Sequence, residues 1–317
     1  MNKVEIRDLL DAGLHFGHQT KRWNPAMKRF IFGAKNGVYI IDLSKTMAQL
    51  KVAQNFLGDV VSRGQDVLFV GTKRQAQDIL KEGAEKSGQP YVVNRWLGGM
   101  LTNNKTVRQS VKRMRELQDM RDNGELEKLA SKKEQSMLRR ELEKLERNLT
   151  GIANMDRTPG ALVIIDTCRE HLAIAEAKRL NIPVVALVDT NADPDQIDFP
   201  IPGNDDSIRA IQLITDQLAG SVKDAYEIYS KEAKAKAEAD AIKAAENKAA
   251  AQAAKEERKL QEKEEKKKRE KALEAVRKKR AAEKAKELKE AEAAKAEEAK
   301  APAETEAAPA AEEKAAE

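Results

Sequence analysis

Five short runs in this chain are apolar at nearly every position: GVYIIDL (37–43), DVLFVG (66–71), PYVVN (90–94), ALVIID (161–166) and PVVALVD (183–189). They do not alternate apolar and polar residues, so none reads as a strand with one wet face. A strand without a polar face belongs in a parallel sheet covered on both sides by helices. Helical-period segments fit that role at 44–63, 73–87, 168–180 and, after the last run, 205–228. Residues 1–230 are therefore expected to form one α/β domain with a doubly wound, mainly parallel sheet.

The connection 102–149 is too long for such a domain. Val107, Val111, Met114 and Leu117 share one helical face, and Leu138, Leu142, Leu145 and Leu149 repeat at the spacing of a coiled-coil seam. DNGE (122–125) breaks the first helix, with Gly124 as its stop, and SKKE (131–134) has the form of a capping box that starts the second. The expectation is an antiparallel coiled-coil hairpin protruding from the sheet.

Composition changes near residue 230. Tyr229 is the last aromatic, and the residues beyond are chiefly Ala, Glu and Lys. The large aliphatics there, among them Ile242, Leu260, Leu273, Val276 and Leu288, are too sparse for a heptad seam or a core. Residues 231–317 are read as a low-complexity tail, solvated helix over parts of 231–299 and disordered in APAETEAAPAAEEKAAE.

Charge is uneven although the total is only +5. Residues 1–120 carry a net +9, whereas residues 161–230 hold 5 basic and 12 acidic side chains. Such a distribution points to a polyanionic partner for the first half. The single cysteine, Cys168, excludes an internal disulfide and suits a reducing compartment. No run of 18 apolar residues offers a membrane span, and MNKVEIRDLLDAG lacks a signal-peptide core, so a cytoplasmic location is expected.

An α/β enzyme is the competing class. Asp166 and Asp189 end two strands, and Asp193, Asp195, Asp205 and Asp206 follow in loops, so Asp166, Asp189 and Asp205 are the carboxylates such an enzyme would use. Against it, neither dinucleotide nor P-loop glycine signatures occur. TCRE (167–170) reads as a capping box starting a helix at Thr167, and Asn204 or Asp205 as the cap of the last helix. No cofactor or metal is expected. His15 and His18 alone leave a zinc shell half empty, and Phe16-Gly17 between them suggests close backbone packing.

Cations interleaved with aromatics and amides favour RNA. The first segment supplies Lys21, Arg22, Trp23, Asn24, Lys28 and Arg29. Lys73 and Arg74 open a helix behind a strand, a place where backbone N–H groups attract phosphate. NRWLGGMLTNNKT (94–106) adds Arg95, Trp96, Asn103, Asn104 and Lys105, and Arg108, Lys112, Arg113 and Arg115 ride the first hairpin helix. Arg and Lys bind phosphate, amides bond ribose or base, and aromatics stack on bases; core packing is the plain alternative for both tryptophans.

GLHFGHQTKRWNPAMKRFIFGAKNGVYIIDL, LFVGTKRQA, NRWLGGMLTN, PGALVIID and IPVVALVDTNADPDQIDFPIPGNDD follow one another in order over residues 1 to about 228. Together they resemble the family of bacterial small-subunit ribosomal protein number two. The resemblance implies a Rossmann- or flavodoxin-like core with a protruding coiled-coil hairpin and no enzymatic activity. It also implies binding to small-subunit ribosomal RNA at the junction of head and body, support of translation, and neighbouring small-subunit proteins that include the large ribosomal protein number one. The family resemblance stops near Tyr229 and leaves the tail unassigned.

If the tail is independent of the core, a chain ending at residue 230 keeps the thermal midpoint and small-subunit occupancy of the full chain. Thermal unfolding and gradient sedimentation measure the two. A large drop in either would mean that the tail is integrated into the domain.

Overall fold

The structure, a computed structural model, describes residues 4–128, 131–155, 157–231 and 266–280, with positions 243, 247–248, 255, 263 and 284. In chain order the elements are α1 (Ile6–Asp11), β1 (Phe16–Gln19), β2 (Ile31–Lys35), β3 (Val38–Ile41), α2 (Leu43–Ser62), β4 (Val67–Val70), α3 (Arg74–Ser87) and β5 (Tyr91–Val92). There follow α4 (Asn104–Asp122), α5 (Glu125–Lys128), α6 (Lys132–Leu149), β6 (Ala161–Ile165), α7 (His171–Arg179), β7 (Val184–Val188), β8 (Phe199–Pro202) and a last helix, α8, over 208–231.

Alternate residues of the apolar runs go to opposite faces, as a two-residue period dictates. Val67, Phe69, Val163, Ile165, Val185 and Leu187 pack with Leu50, Leu57, Leu80, Ile211, Ile214 and Leu218 on one side. Leu68, Val70, Leu162, Ile164, Val184 and Ala186 pack with Ala173, Ile174, Val111, Met114 and Leu142 on the other. The first layer comes from α2, α3 and α8, and the second from α7 and the 104–149 helices. Helices on both faces leave no position of β4, β6 or β7 in water, which is why these strands are apolar throughout.

The sheet order is β5-β4-β6-β7-β8 and every pairing is parallel. Counted within this sheet it is the 2-1-3-4-5 arrangement of doubly wound folds, whose switch point lies between the first and third strands, here β4 and β6.

Two strand expectations change. GVYIIDL does not join the parallel sheet: β3 is the centre of a separate antiparallel sheet, β1-β3-β2. Asn36 and Gly37, both at positive φ, make the tight return from β2 that forces this antiparallel partner. The fifth parallel strand is β8, FPIP, pairing only with β7. Pro200 and Pro202 lack the N–H of an ordinary strand, and an edge strand tolerates that loss.

Helix boundaries largely follow their local signals. Asp42 accepts the Ser44 N–H at the start of α2, and Gly88 in the left-handed region ends α3. Gly124, also left-handed, closes the turn after α4. Ser131 stands at the cap position of α6, but its side chain makes no cap bond. Thr167 does not start a helix: residues 167–169 form a turn in which Asp166 Oδ1 accepts the Arg169 N–H, and α7 begins at His171. Before α8, Asn204 Oδ1 accepts the N–H groups of Asp206 and Ser207.

Within 102–149, α4 and α6 lie side by side, linked by Arg113–Glu141 and Arg121–Glu146 ion pairs. Leu117, Leu142 and Leu149 are buried in the same cluster. Residues 129–130 of the connection fall outside the described residues. After α6, a 3-10 turn at Thr150–Ile152 brings Gly151 against the Tyr91 carbonyl, where any Cβ would collide with backbone. The end of α6 is thereby pinned to the edge strand β5.

The chain divides into two compact units, Met1–Lys236 and Ala237–Glu317. In the second, residues 266–280 are helical and exposed, with Leu273 and Val276 more than half accessible. The expected disorder of the last seventeen residues, and helix over most of the remainder of 231–299, fall outside the described residues.

Leu142 is 3 % exposed. Leu142→Ala should cost roughly 2–4 kcal/mol, the transfer free energy of the lost methyls plus a cavity term. Urea unfolding of the pair measures it; a change below about half a kilocalorie would mean that this face repacks freely.

Candidate nucleic-acid interface

Gly17 is where the opening segment meets the sheet. A Cβ there would lie 2.5 Å from Thr190 Cγ2 and 3.2 Å from the Tyr39 carbonyl, so only glycine lets β1 cross this close. The Asn24 N–H donates to the Thr190 carbonyl at 2.7 Å, and the His18 N–H to Thr190 Oγ1 at 2.8 Å. The strand end after β7 thus anchors the segment that carries Lys21, Arg22, Lys28 and Arg29.

The close approach brings His18 to the acidic strand ends. Its Nδ1 lies 2.8 Å from Asp189 Oδ2, and Asp189 is 1 % exposed. The hydrogen bond to Asp189 raises the His18 pKa, and partial burial opposes it without cancelling it. His15 does not join this group; burial lowers its pKa.

Next to it stands Lys73, with its ammonium 2.8 Å from Asp205, 2.6 Å from Asp206 and 3.8 Å from Asp166. Burial pulls the Lys73 pKa down, but its bonds to Asp205 and Asp206 prevail and hold it above 10.5. Burial pushes the Asp205 carboxyl up to about 6, despite the opposing bond from Lys73. Lys73 holds the more open Asp206 below its ordinary value.

Across the switch point the chain bridges itself. Glu170 accepts the backbone and hydroxyl donors of Thr72, and Arg169 Nε donates to Thr72 Oγ1 at 2.9 Å. Asp166, Asp189 and Asp205 do converge, as an enzyme of this architecture would need. Here each is committed to the chain: Asp166 and Asp205 to Lys73, Asp189 to His18 and the Thr190 N–H. The expected Lys73–phosphate contact is corrected in the same way, since three carboxylates already surround that ammonium.

His18, Asp189 and Asp205 present one imidazole nitrogen and two carboxylate oxygens within 4.8 Å of one another. This donor set could take a divalent cation. His15 is not among these donors: the fold sets His18 beside the Asp-rich strand ends and loops instead.

Other expected RNA contacts divide by their surroundings. Lys21, Arg22, Lys28, Arg74, Arg95 and Lys105 are exposed and, among the described residues, unpaired. Arg29 is exposed but bonds Asp195 at 2.7 Å, and Arg113 bonds Glu141 at 3.2 Å. Asn24 caps the turn at Pro25–Phe30 by accepting the Ala26 N–H. Asn103 and Asn104 accept from Thr106 and Arg108 at the start of α4. Trp23 is half-buried, its ring 5.0 Å from that of Tyr39.

Trp96 is a correction. It is 6 % exposed and its indole N–H donates to Glu176 Oε1 at 3.1 Å, so it has no face to offer a base. Glu176 also accepts from the N–H groups of Gly99, Leu101 and Thr102 and from the Thr102 hydroxyl. Burial raises the pKa of this carboxyl, but its donors, led by the Thr102 N–H, outweigh it and hold it low. One carboxylate on α7 therefore shapes the whole LGGMLT loop and presents Arg95 and Lys105 on either side. Nothing in HLAIAEAKRL separates Glu176 from an ordinary solvated helix residue.

The sequence model of the family described as ribosomal protein S2 matches residues 9–225. The chain is 54 % identical over 222 residues to the small ribosomal subunit protein uS2 of Acidothermus cellulolyticus, covering 70 % of this chain and 81 % of that one. It is 55 % identical to the uS2 protein of Arthrobacter sp. and 52 % identical to that of Coprothermobacter proteolyticus, each over 222 residues. The matches cover 76 % and 82 % of those relatives. A part of each relative therefore lies outside the match too.

The His18–Asp189 pair has a pH signature. A histidine pKa raised by folding contributes its stability in full below 6.5 and loses it as pH rises through the folded value. Asp189→Asn should lower the His18 pKa read by NMR. The pH-dependent part of the stability gap between wild type and variant should fade as pH climbs above 6.5. An unshifted His18 titration would contradict the pairing.

Proposed function

Because the chain belongs to the ribosomal protein S2 family and is a non-enzymatic structural constituent of the small ribosomal subunit, we propose that its basic N-terminal half binds small-subunit ribosomal RNA. The observation that carries the reading is the contrast in charge compensation. The acidic strand ends are matched internally by Lys73 and His18, whereas Lys21, Arg22, Lys28, Arg95 and Lys105 face solvent. Exposed, unpaired cations near a polyanion release its counterions, and that is the main source of affinity for nucleic-acid backbone.

Residues 1–230 act as the RNA-binding domain and 231–317 as an appended charged tail. The helices of 102–149 act as a protruding coiled-coil hairpin, with Arg108 and Lys112 extending the cationic surface along α4. Its neighbours on the subunit, at the junction of head and body, include the large ribosomal protein number one. The protein works in translation on the cytoplasmic ribosome.

Arg95→Ala and Lys105→Ala should each weaken association with the small subunit. Each should also flatten the slope of log K against log[salt] by about 1, the signature of one lost phosphate contact. Salt-titrated binding to small-subunit ribosomal RNA measures both. Unchanged affinity and slope in both variants would reject this surface.

A further inference from the structure

At the base of the hairpin, α4 and the turn that follows α6 enclose a small slot of about 170 Å³. Val107, Val111, Ile152 and Met155 give it an apolar floor, and Ala153 stands at one wall. Val111, Ile152 and Met155 are each less than one-tenth exposed, so the floor belongs to the packed core and is preformed. Its rim is cationic. Arg108, Lys112 and Arg115 line it and follow one another at spacings of 4 and 3 along α4, which puts them in one stripe on the helix.

The rim is also partly held in place. Arg115 Nη2 donates to the Ala153 carbonyl at 2.7 Å and to Asn154 Oδ1 at 3.3 Å. Arg108 Nε donates to Asn104 Oδ1 at 3.1 Å. Among the described residues, the carboxylate paired with Lys112 is Glu116, 3.9 Å away at a half-exposed position, too loose to neutralise the stripe.

We propose that this slot receives a single unstacked base of ribosomal RNA, whose flanking phosphates lie on Arg108 and Lys112. The proposal rests on the RNA-binding reading above and adds a specific subsite to it. Size and charge select the occupant. An engineered protein cavity of about 150 Å³ accepts one benzene ring, so this slot suits one aromatic base. An amphipathic helix needs a groove with several successive anchors. A free hydrophobic side chain would not require a cationic rim, whereas a nucleotide carries an aromatic ring and a phosphate on each side. Splayed-out bases of loops and bulges are what proteins read in RNA, on apolar or aromatic floors and on guanidinium planes, and Arg115 holds such a plane at the slot edge.

Two substitutions narrow the slot without removing a cation, one at its floor and one at its wall: Val107→Leu and Ala153→Leu. Arg108→Ala removes a rim charge. The full-length protein and each variant are titrated with protein-free small-subunit ribosomal RNA across a salt series. The bound RNA is also probed for 2′-hydroxyl acylation, and thermal midpoints verify folding. If one filling variant is misfolded, the other carries the test.

The expected result is a loss of about tenfold in affinity for a folded filling variant, the scale of one base contact. Its salt slope should stay unchanged, and acylation should change at one unpaired nucleotide. Arg108→Ala should lower the slope by about 1. Wild-type affinity in the filling variants with a weakened Arg108→Ala overturns the base subsite and leaves the RNA surface standing. No change in any variant, together with none in Arg95→Ala or Lys105→Ala, overturns the RNA reading as well. A defect seen only in subunits with their full protein complement, and not on bare RNA, assigns the slot to a protein side chain and overturns the proposal.

Discussion

A parallel sheet buried on both faces leaves only its ends for polar chemistry. β4, β6 and β7 bury every residue, so the chain must place its charges where the strands stop. At the carboxyl ends these charges are mostly acidic, and desolvating several carboxylates together is costly unless cations accompany them. Lys73 and His18 supply those cations. Because His18 belongs to the opening segment, the same compensation ties β1 to the far side of the sheet, with Gly17 pressed on Thr190. The position of the basic segment that follows depends on this contact.

In many folds of this kind the switch point between the first and third strands is an open crevice for a nucleotide. Here Thr72, Glu170, Arg169 and Lys73 fill it with bonds inside the chain. The architecture has been kept while the crevice serves as a brace. The cations Lys21, Arg22, Lys28, Arg95 and Lys105 lie instead on the outward surface, exposed. Glu176 works similarly on the other face: its bonds to five donors hold a glycine-containing loop rigid, so Arg95 and Lys105 project from a fixed frame. Rigid presentation lowers the ordering cost of binding.

Much of the fold was legible residue by residue. VLFV, ALVII and VVALV declared themselves as two-sided strands because burial on both faces removes all polar residues, and Gly124 marked a helix stop that only a left-handed residue makes easy. The strand FPIP went unread because its prolines argue against a strand, and only its edge position permits them. Thr167 was misread because a capping-box pattern is local, whereas Asp166 at φ 66 turns the chain before a helix can begin. The basic residues were legible as a group, but not which of them were committed: Trp96 beside Arg95 reads the same in sequence whether its ring is exposed or buried.

What the sequence by itself determined is everything carried by local pattern: an α/β domain to about residue 230, a helical insertion at 102–149, a charged tail, and a basic half set against an acidic one. These follow from periodicity, propensity and composition, which act over a few residues. What only the tertiary structure decided is which charges meet. His18 and Asp189 are 171 positions apart, Lys73 and Asp205 132, and Trp96 and Glu176 80, each pair joined by the path of the chain through the sheet. Partner choice over such separations depends on strand order and layer packing. Coulomb and hydrogen-bond energies act only after the backbone has brought the groups within a few ångströms, and no spacing in the sequence encodes that distance.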